Sequence, residues 1–479
     1  MYENLLTPPL FSYLLAAWGE LFGLQEISCH IFQLLVALAA TAGIFFLADE
    51  FECDPFLVTL LSIVSPLFIL SATVVMCDLL MLTFWIWSLL AWLKALKRDS
   101  IILFLVSSIL AAACLLTKYN GAFLLILLGT AGFLHRCRIE RHLLWLCVPV
   151  AALILYWLAM SARYHMDIGG NTASYIDENR SFAPLPVFRS VIAGIVFSGA
   201  ILAGVFPFLF FALKRKEVIG IVVSALVLEF IFSKTGEPSL PLWSLQHGMW
   251  LVAGVALLWL ATREIFYRND RIGILLFLWL GLAGVFSVGV NWCVNGRSLI
   301  TLIPAVGLLV ARAESKAAHF PRRLVLVCLL PMIIFSCVVS SADYEMASIN
   351  KNVATTINDQ FNQAYLKNRS LWFEGHWGFQ YYMDRQGVQA LDVWDSIIKP
   401  DDILIFPVNL SDLYIPRKAT FITQKKLSIP HSLPVTVMNK FSGAGYYGAF
   451  GDLPFVFGMK ATEDVDVLMF TSAQHGIAD

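Results

Sequence analysis

Apolar residues run in stretches of roughly 14 to 24 positions from Ile31 to Ser341, most long enough to cross a ~30 Å hydrocarbon core. The spacing predicts spans at 31–48, 55–74, 79–96, 101–117, 121–134, 143–162, 190–213, 218–233, 247–262, 272–290, 298–311 and 324–341. Ahead of them, the pair Pro8-Pro9 opens an amphipathic run holding Glu20, which is too short and punctuated for a span and reads as an interfacial helix. Behind them the pattern changes. Ile349, Val353, Ile357 and Phe361 form a helical stripe. Short β-rich runs follow (LWFEG, DDILIFPV, LPVTVMN, DVLMFTSA), separated by Pro, Gly and Asp, which predicts a small α/β domain. The expected organisation is an external interfacial segment over 1–30, an all-α polytopic membrane bundle over 31–341 and a soluble extracytoplasmic α/β domain over 342–479.

Charge sets the orientation. One group of loops is short and basic: 94–98, 135–138, 214–216, 263–271 and 312–323. The alternating group, 75–78, 118–120, 163–189, 234–246 and 291–297, is poor in Lys and Arg. The positive-inside rule places the basic group in the cytoplasm. The acidic loop Asp49–Asp54 falls on that side too, where acidic residues weigh little. Alternation then puts both the PPL segment and the tail outside. An external N-terminus with no preceding span leads to the expectation that one helix and its loop are missing ahead of Met1.

Composition supports a membrane protein: 58% of residues are hydrophobic and 14% charged, against about a quarter charged in soluble chains. A net charge of −1 gives no hint of a nucleic-acid partner. The nine cysteines include no C-x-x-C pair, and Cys77 and Cys293, at helix ends on one face, read as small buried hydrophobes or as a bridge. No metal-ligand spacing such as H-E-x-x-H occurs.

Ionisable residues at membrane depth are costly and therefore informative. Asp78, at the outer end of an apolar run, reads as a helix cap or as a functional carboxylate. Lys118, in LLTKYNG, reads as a snorkelling lysine or as a ligand for an anion. Arg297 opens a helix, where the dipole opposes a cation, so it calls for a phosphate or carboxylate partner. All three fall on the external face. One carboxylate and two cations suit a site that grips a phosphate and handles a proton. Tyr119 and His247 are further candidates for lining that cavity. Glu229, inside a span, needs a partner on a neighbouring helix. His165, Asp167, Asp177 and Glu178 read as a solvated loop or as acceptor or metal contacts, and Glu374, His376 and Trp377 as a core or as a sugar-contact patch.

TPPLFSYLLAAWGELFG, SPLFILSATVVMCDLLMLTFWIWSLLAW, LTKYNGAFLL and VNGRSLITLIPAVGLL resemble, in order and spacing, motifs of the GT-C membrane glycosyltransferases. The nearest branch is the bacterial family 39 type, related to protein O-mannosyltransferases and to the lipid A aminoarabinose transferase. The likeness runs from about Thr7 to Arg312, and WFEGHWGFQYYM and GAGYYGAFGDLPFVFG resemble the branch's extracytoplasmic domain. It implies transfer of a sugar from a polyprenyl-phosphate donor to a lipid, glycan or protein acceptor, at the outer face of a bacterial plasma membrane. Asp78 matches the aspartate of a TPD-like motif, and Lys118 and Arg297 match phosphate-binding positions. Pro8 and Pro9 match an HPPL-like motif in which Thr7 replaces histidine. No cofactor is required by the resemblance, and a divalent metal is left open. The family's principal catalytic Asp-Glu pair lies upstream of the PPL motif and has no counterpart here, which leaves Glu3 as a substitute. Two other functions stand beside this one: a catalytically dead remnant, and a lipid or sugar transporter. The transporter predicts inverted repeats and broken helices, and no internal repeat is found.

Overall fold

In a bilayer only a helix can satisfy its own N–H and C=O groups within a single segment, and the apolar runs form helices accordingly. The computed structural model describes residues 8–135, 139–165, 170, 173–174, 184–202, 213–235, 241–268, 270–314, 322–360, 369–392, 396–410, 413 and 419–473. It divides into two compact units, the first running to Cys337 and including Asp452–Pro454, the second made of Val338–Gly451 and the chain from Phe455 on.

The first unit opens with α1 (Leu10–Phe22), α2 (Glu26–Glu50), α3 (Pro55–Ile63), α4 (Pro66–Thr73), α5 (Cys77–Arg98) and α6 (Ile101–Thr117). It continues through α7 (Ala122–Leu134), α8 (Ile139–Tyr164), α9 (Pro184–Ile201), α10 (Arg215–Ser233), α11 (Pro241–Arg263), α12 (Arg271–Gly284) and α13 (Leu302–Glu314). Then α14 (Arg322–Gln360) runs on into the second unit. Among the described residues six helices are long and apolar enough to cross a membrane, or seven if α3 and α4 together make one span. Shorter apolar helices accompany them, α1, α6, α7, α9 and α13.

Several expected boundaries move. The run 55–74 is not one helix but two, bent by 65° at Ser65-Pro66. Pro66 lacks the N–H that would continue the ladder, and it starts α4 with Ser65 as its cap. The opened carbonyl of Val64 is met by Ser336 Oγ at 2.6 Å, from α14. An inverted-repeat transporter would carry a matching break in a second half. The described helices hold one such pair. The run 218–233 does form α10, yet Arg215, Lys216, Glu217 and Glu229 keep that helix out of the six. The expected separate helix after 341 is instead the continuation of α14, since Ser341-Ala342-Asp343 contains no breaker.

Helix α5 is central: 83% of its apolar window is buried. At 22 residues it is about 33 Å long, enough to span. Asp78 stands in its first turn and Lys97 and Arg98 in its last, each complementing the helix dipole. Ser88 and Ser107 exchange hydrogen bonds with each other's carbonyls at 2.9 and 2.8 Å, joining α5 to α6. Trp85 of α5 stacks on Trp279 of α12 with centroids 6.1 Å apart. Elsewhere α9 and α11 cross closely, for a Cβ at Gly199 or Gly254 would fall 2.1 Å from a backbone oxygen of the other helix.

The second unit is built on a five-stranded mixed sheet in the order β2-β1-β3-β9-β4. Its strands are β1 (Leu371–Phe373), β2 (Gln389–Ala390), β3 (Ile403–Pro407), β4 (Ala419–Pro430) and β9 (Thr462–Ala473), with α15 (Trp377–Arg385) after β1 and the short strands β5 (Val435–Thr436), β6 (Met438–Asn439), β7 (Ala444–Gly445) and β8 (Val456–Phe457) between β4 and β9. Ile349, Val353 and Ile357 of the α14 stripe pack on Phe373, Ile405 and Val467 of the sheet and on Phe379 of α15. Phe361, the fourth expected member, lies outside the described residues.

Candidate functional site

Three chain segments bring their charges together in the first unit. Asp78 is not the helix cap that its position suggested. Met76 occupies the cap position of α5, and the Asp78 side chain turns away from the backbone toward two cations. Its Oδ1 accepts from Lys118 Nζ at 2.5 Å, and Arg297 Nη1 lies 3.9 Å from Oδ2. The carboxylate is 3% exposed, whereas the Lys118 and Arg297 side chains remain 23% and 21% open. The cations are therefore reachable from outside and the anion behind them is not. Lys118 holds one oxygen of Asp78, while Oδ2 is buried without a hydrogen-bond partner, with the Arg297 guanidinium near it.

The local sequence explains each placement. Lys118 ends α6 in an extended conformation (φ −159°, ψ 138°), and a 3-10 turn, Tyr119–Gly121, leads straight into α7. Gly121 permits this turn. A Cβ there would lie 2.8 Å from the backbone of Cys114 and Leu115, a contact that only glycine avoids. Asn120, almost wholly buried, donates to the carbonyl of Ser298 at 3.4 Å and so ties the lysine's turn to the arginine's segment. That segment is a second 3-10 turn, Gly296–Leu299, capped by Asn295 Oδ1 on the Ser298 N–H at 2.9 Å. Ser298 Oγ meets Ser287 Oγ at 2.6 Å. Arg297 Nη1 also donates to Met76 Sδ at 3.0 Å. The backbone of Met76 is held in turn by Gln33, whose Nε2 donates to Ser71 O at 2.8 Å and reaches Met76 O at 3.5 Å.

Sequence reasoning missed Gln33, Asn120, Asn295 and Ser298. For Gln33 and Asn120 a signal existed, a lone amide in or beside an apolar span. For Asn295 and Ser298 the local polarity of VNGRS concealed it.

The remaining candidates fall elsewhere. Tyr119 Oη accepts from Trp157 Nε1 at 3.2 Å, next in sequence to the cluster's lysine. His247 is wholly buried and belongs to another group. Its Nδ1 meets Glu229 Oε2 at 2.5 Å, and its ring is stacked between Phe232 and Trp243. Glu229 thus has the interhelical partner that its cost demands. Glu3 and Thr7 lie outside the described residues, as do Asp167, Asp177 and Glu178; His165 is exposed. Cys77 and Cys293 are not joined in a disulfide. Among the described residues no three His, Cys, Asp or Glu side chains converge as a metal site.

At the other end of the bundle a second charged cluster closes the structure. Arg312 donates to Glu264 at 2.9 Å and to Asp270 at 2.6 Å, and Asp270 also caps α12 through the Gly273 N–H. Arg312 bridges two carboxylates of the chain itself, so this cluster joins helices.

Residues 7–159 match a family model described as dolichyl-phosphate-mannose-protein mannosyltransferase. No curated protein matches the chain by sequence. Among solved structures, ArnT from Cupriavidus metallidurans bound to undecaprenyl phosphate aligns with a TM-score of 0.41 and 13% identity, covering 84% of this chain and 83% of that one. The arabinofuranosyltransferase AftD from Mycobacteria aligns with a TM-score of 0.36 and 13% identity, covering 96% of this chain and 35% of that one. With its first third matching the protein mannosyltransferases, the chain is recognised as similar to the GT-C membrane glycosyltransferases, with a bundle of membrane helices and a strand-containing C-terminal domain.

Proposed function

We propose that the protein moves a sugar from a polyprenyl-phosphate-linked donor to an acceptor at the external face of the membrane. One observation carries this reading: Lys118 and Arg297, from segments far apart in sequence, converge with partly exposed side chains on a single buried carboxylate. Two cations side by side at a helix end make a receptor for phosphate oxygens, and the matched family's description names a polyprenyl-type phosphate donor. In the proposed reaction Lys118 and Arg297 bind the lipid-linked phosphate and stabilise the charge it gains as the sugar departs. Asp78 orients the two cations. The proposed orientation puts this cluster and the C-terminal domain outside the cytoplasm, with the acceptor a lipid, a glycan or a protein.

The test uses the full chain reconstituted in lipid nanodiscs with sugar-labelled polyprenyl-phosphate hexoses and pentoses and an envelope extract as the acceptor source. Lys118→Ala and Arg297→Ala are each expected to lower turnover by about 10²–10³-fold. Wild-type turnover in both variants would remove the site.

A further inference from the structure

This inference rests on the proposed phosphate site and concerns what Asp78 does within it. Lys118 and Arg297 approach the same carboxylate from two sides, one at Oδ1 and the other at Oδ2. A phosphate that reaches both cations must therefore come close to that carboxylate as well. The Asp78 side chain is too buried for water to screen it, so the like charges repel strongly.

We propose that Asp78 is an internal anion that competes with a bound phosphate for Lys118 and Arg297, and so speeds release of the polyprenyl phosphate left after transfer. The chemistry makes the product the affected species. The acceptor oxygen bonds to the anomeric carbon while the bond from that carbon to the phosphate oxygen breaks. The bonding pair stays on the phosphate, and the acceptor's proton passes to water or a carboxylate. A phosphodiester with one negative charge thus becomes a monoester carrying roughly −1.5 to −2 at neutral pH. Asp78 sits against both cations, and the repulsion it exerts grows with the charge of the phosphate, so it weighs more on the product than on the donor. Without that repulsion the cations would hold the monoester more tightly, and the spent lipid would stay.

Asp78→Asn keeps the shape and removes the charge. Affinity for undecaprenyl phosphate is measured on the full chain in nanodiscs by native mass spectrometry, beside single-turnover and steady-state rates with the sugar donor. The variant is expected to bind undecaprenyl phosphate on the order of tenfold more tightly. The ratio of its steady-state to its single-turnover rate should fall below that of the wild type, and Asp78→Glu should retain wild-type affinity. Equal or weaker binding by Asp78→Asn would make the carboxylate a scaffold or a base, and the inference would be overturned. Should Asp78→Asn fail to fold, the wild type alone decides. Competition predicts that it binds undecaprenyl phosphate no more than about tenfold better than a non-hydrolysable diester analogue, and a preference of a hundredfold or more contradicts it. Failure of the wild type to bind either lipid overturns the phosphate site and this inference together, whereas binding without the Asp78→Asn gain overturns this inference alone.

Discussion

Gln33 stands alone among the buried residues of α2 in being polar, and it is wholly inaccessible. Its amide donates to Ser71 O, one of the four carbonyls that the end of α4 leaves without an intrahelical partner. By reaching Met76 O as well, it fixes the residue whose sulfur receives Arg297. Gln33→Leu is expected to cost about 1–3 kcal/mol, because the buried carbonyls lose their donor. Thermal unfolding in detergent reads that loss. A rise in the KM for the lipid donor, with kcat little changed, would show that the tether also positions the arginine. A lowered midpoint with unchanged KM would confine Gln33 to stability. The contrast with Asp78, Lys118 and Arg297 shows what a sequence reveals of a site. Charges in an apolar chain stand out because they are expensive there. A single amide or serine costs less, and its partner is set by packing that the local sequence does not contain.

The turn between α6 and α7 shows the same division among elements. The two apolar runs, 101–117 and 121–134, were legible, and so was the polar LTKYNG between them. Hydropathy does not tell that the turn folds back against its own helix, with Gly121 touching the backbone of Cys114 and Leu115. Gly121→Ala is therefore expected to destabilise by about 1–3 kcal/mol and to displace Lys118, which native mass spectrometry would record as lost lipid-phosphate binding. Gly220, in α10, has nothing within 4 Å of the position a Cβ would take. Gly220→Ala should leave binding intact and raise stability by about 0.4–1 kcal/mol. Equal effects from the two substitutions would refute the close approach at Gly121. The Ser65-Pro66 break was likewise visible as a dipeptide, but averaging over 55–74 hid it. Strand β4 escaped notice for a different reason. Its polar, Lys-rich sequence becomes a strand by pairing along its length with β9, more than thirty residues later.

For the molecule in its membrane, the charged groups sort to the two ends of α5. Asp78, Lys118 and Arg297 gather at one end, and Lys97 pairs with Glu50 at the other, at 2.6 Å. In the proposed orientation, argued from the positive-inside rule, the second end is cytoplasmic. Phe441, 70% exposed in the C-terminal unit, reports on the side proposed for that unit. A Phe441→Cys substitution in the full chain is expected to react with a membrane-impermeant maleimide in intact cells, measured against the background of the native thiols. Arg98→Cys should react only after permeabilisation. The reverse pattern would invert the orientation and move the charged cluster to the cytoplasm.

The bend at Ser65-Pro66 also bears on the order in which the protein assembles. The carbonyl that the bend leaves open is closed by Ser336, 272 positions further along. When α3 and α4 first enter the bilayer, that hydroxyl has yet to be synthesised, and an unmet carbonyl in lipid costs several kcal/mol. The early helices must then wait in a wetter or straighter form until the final membrane helix arrives. Arg297 is also made late, so the two cations of the cluster cannot meet until most of the bundle has been inserted.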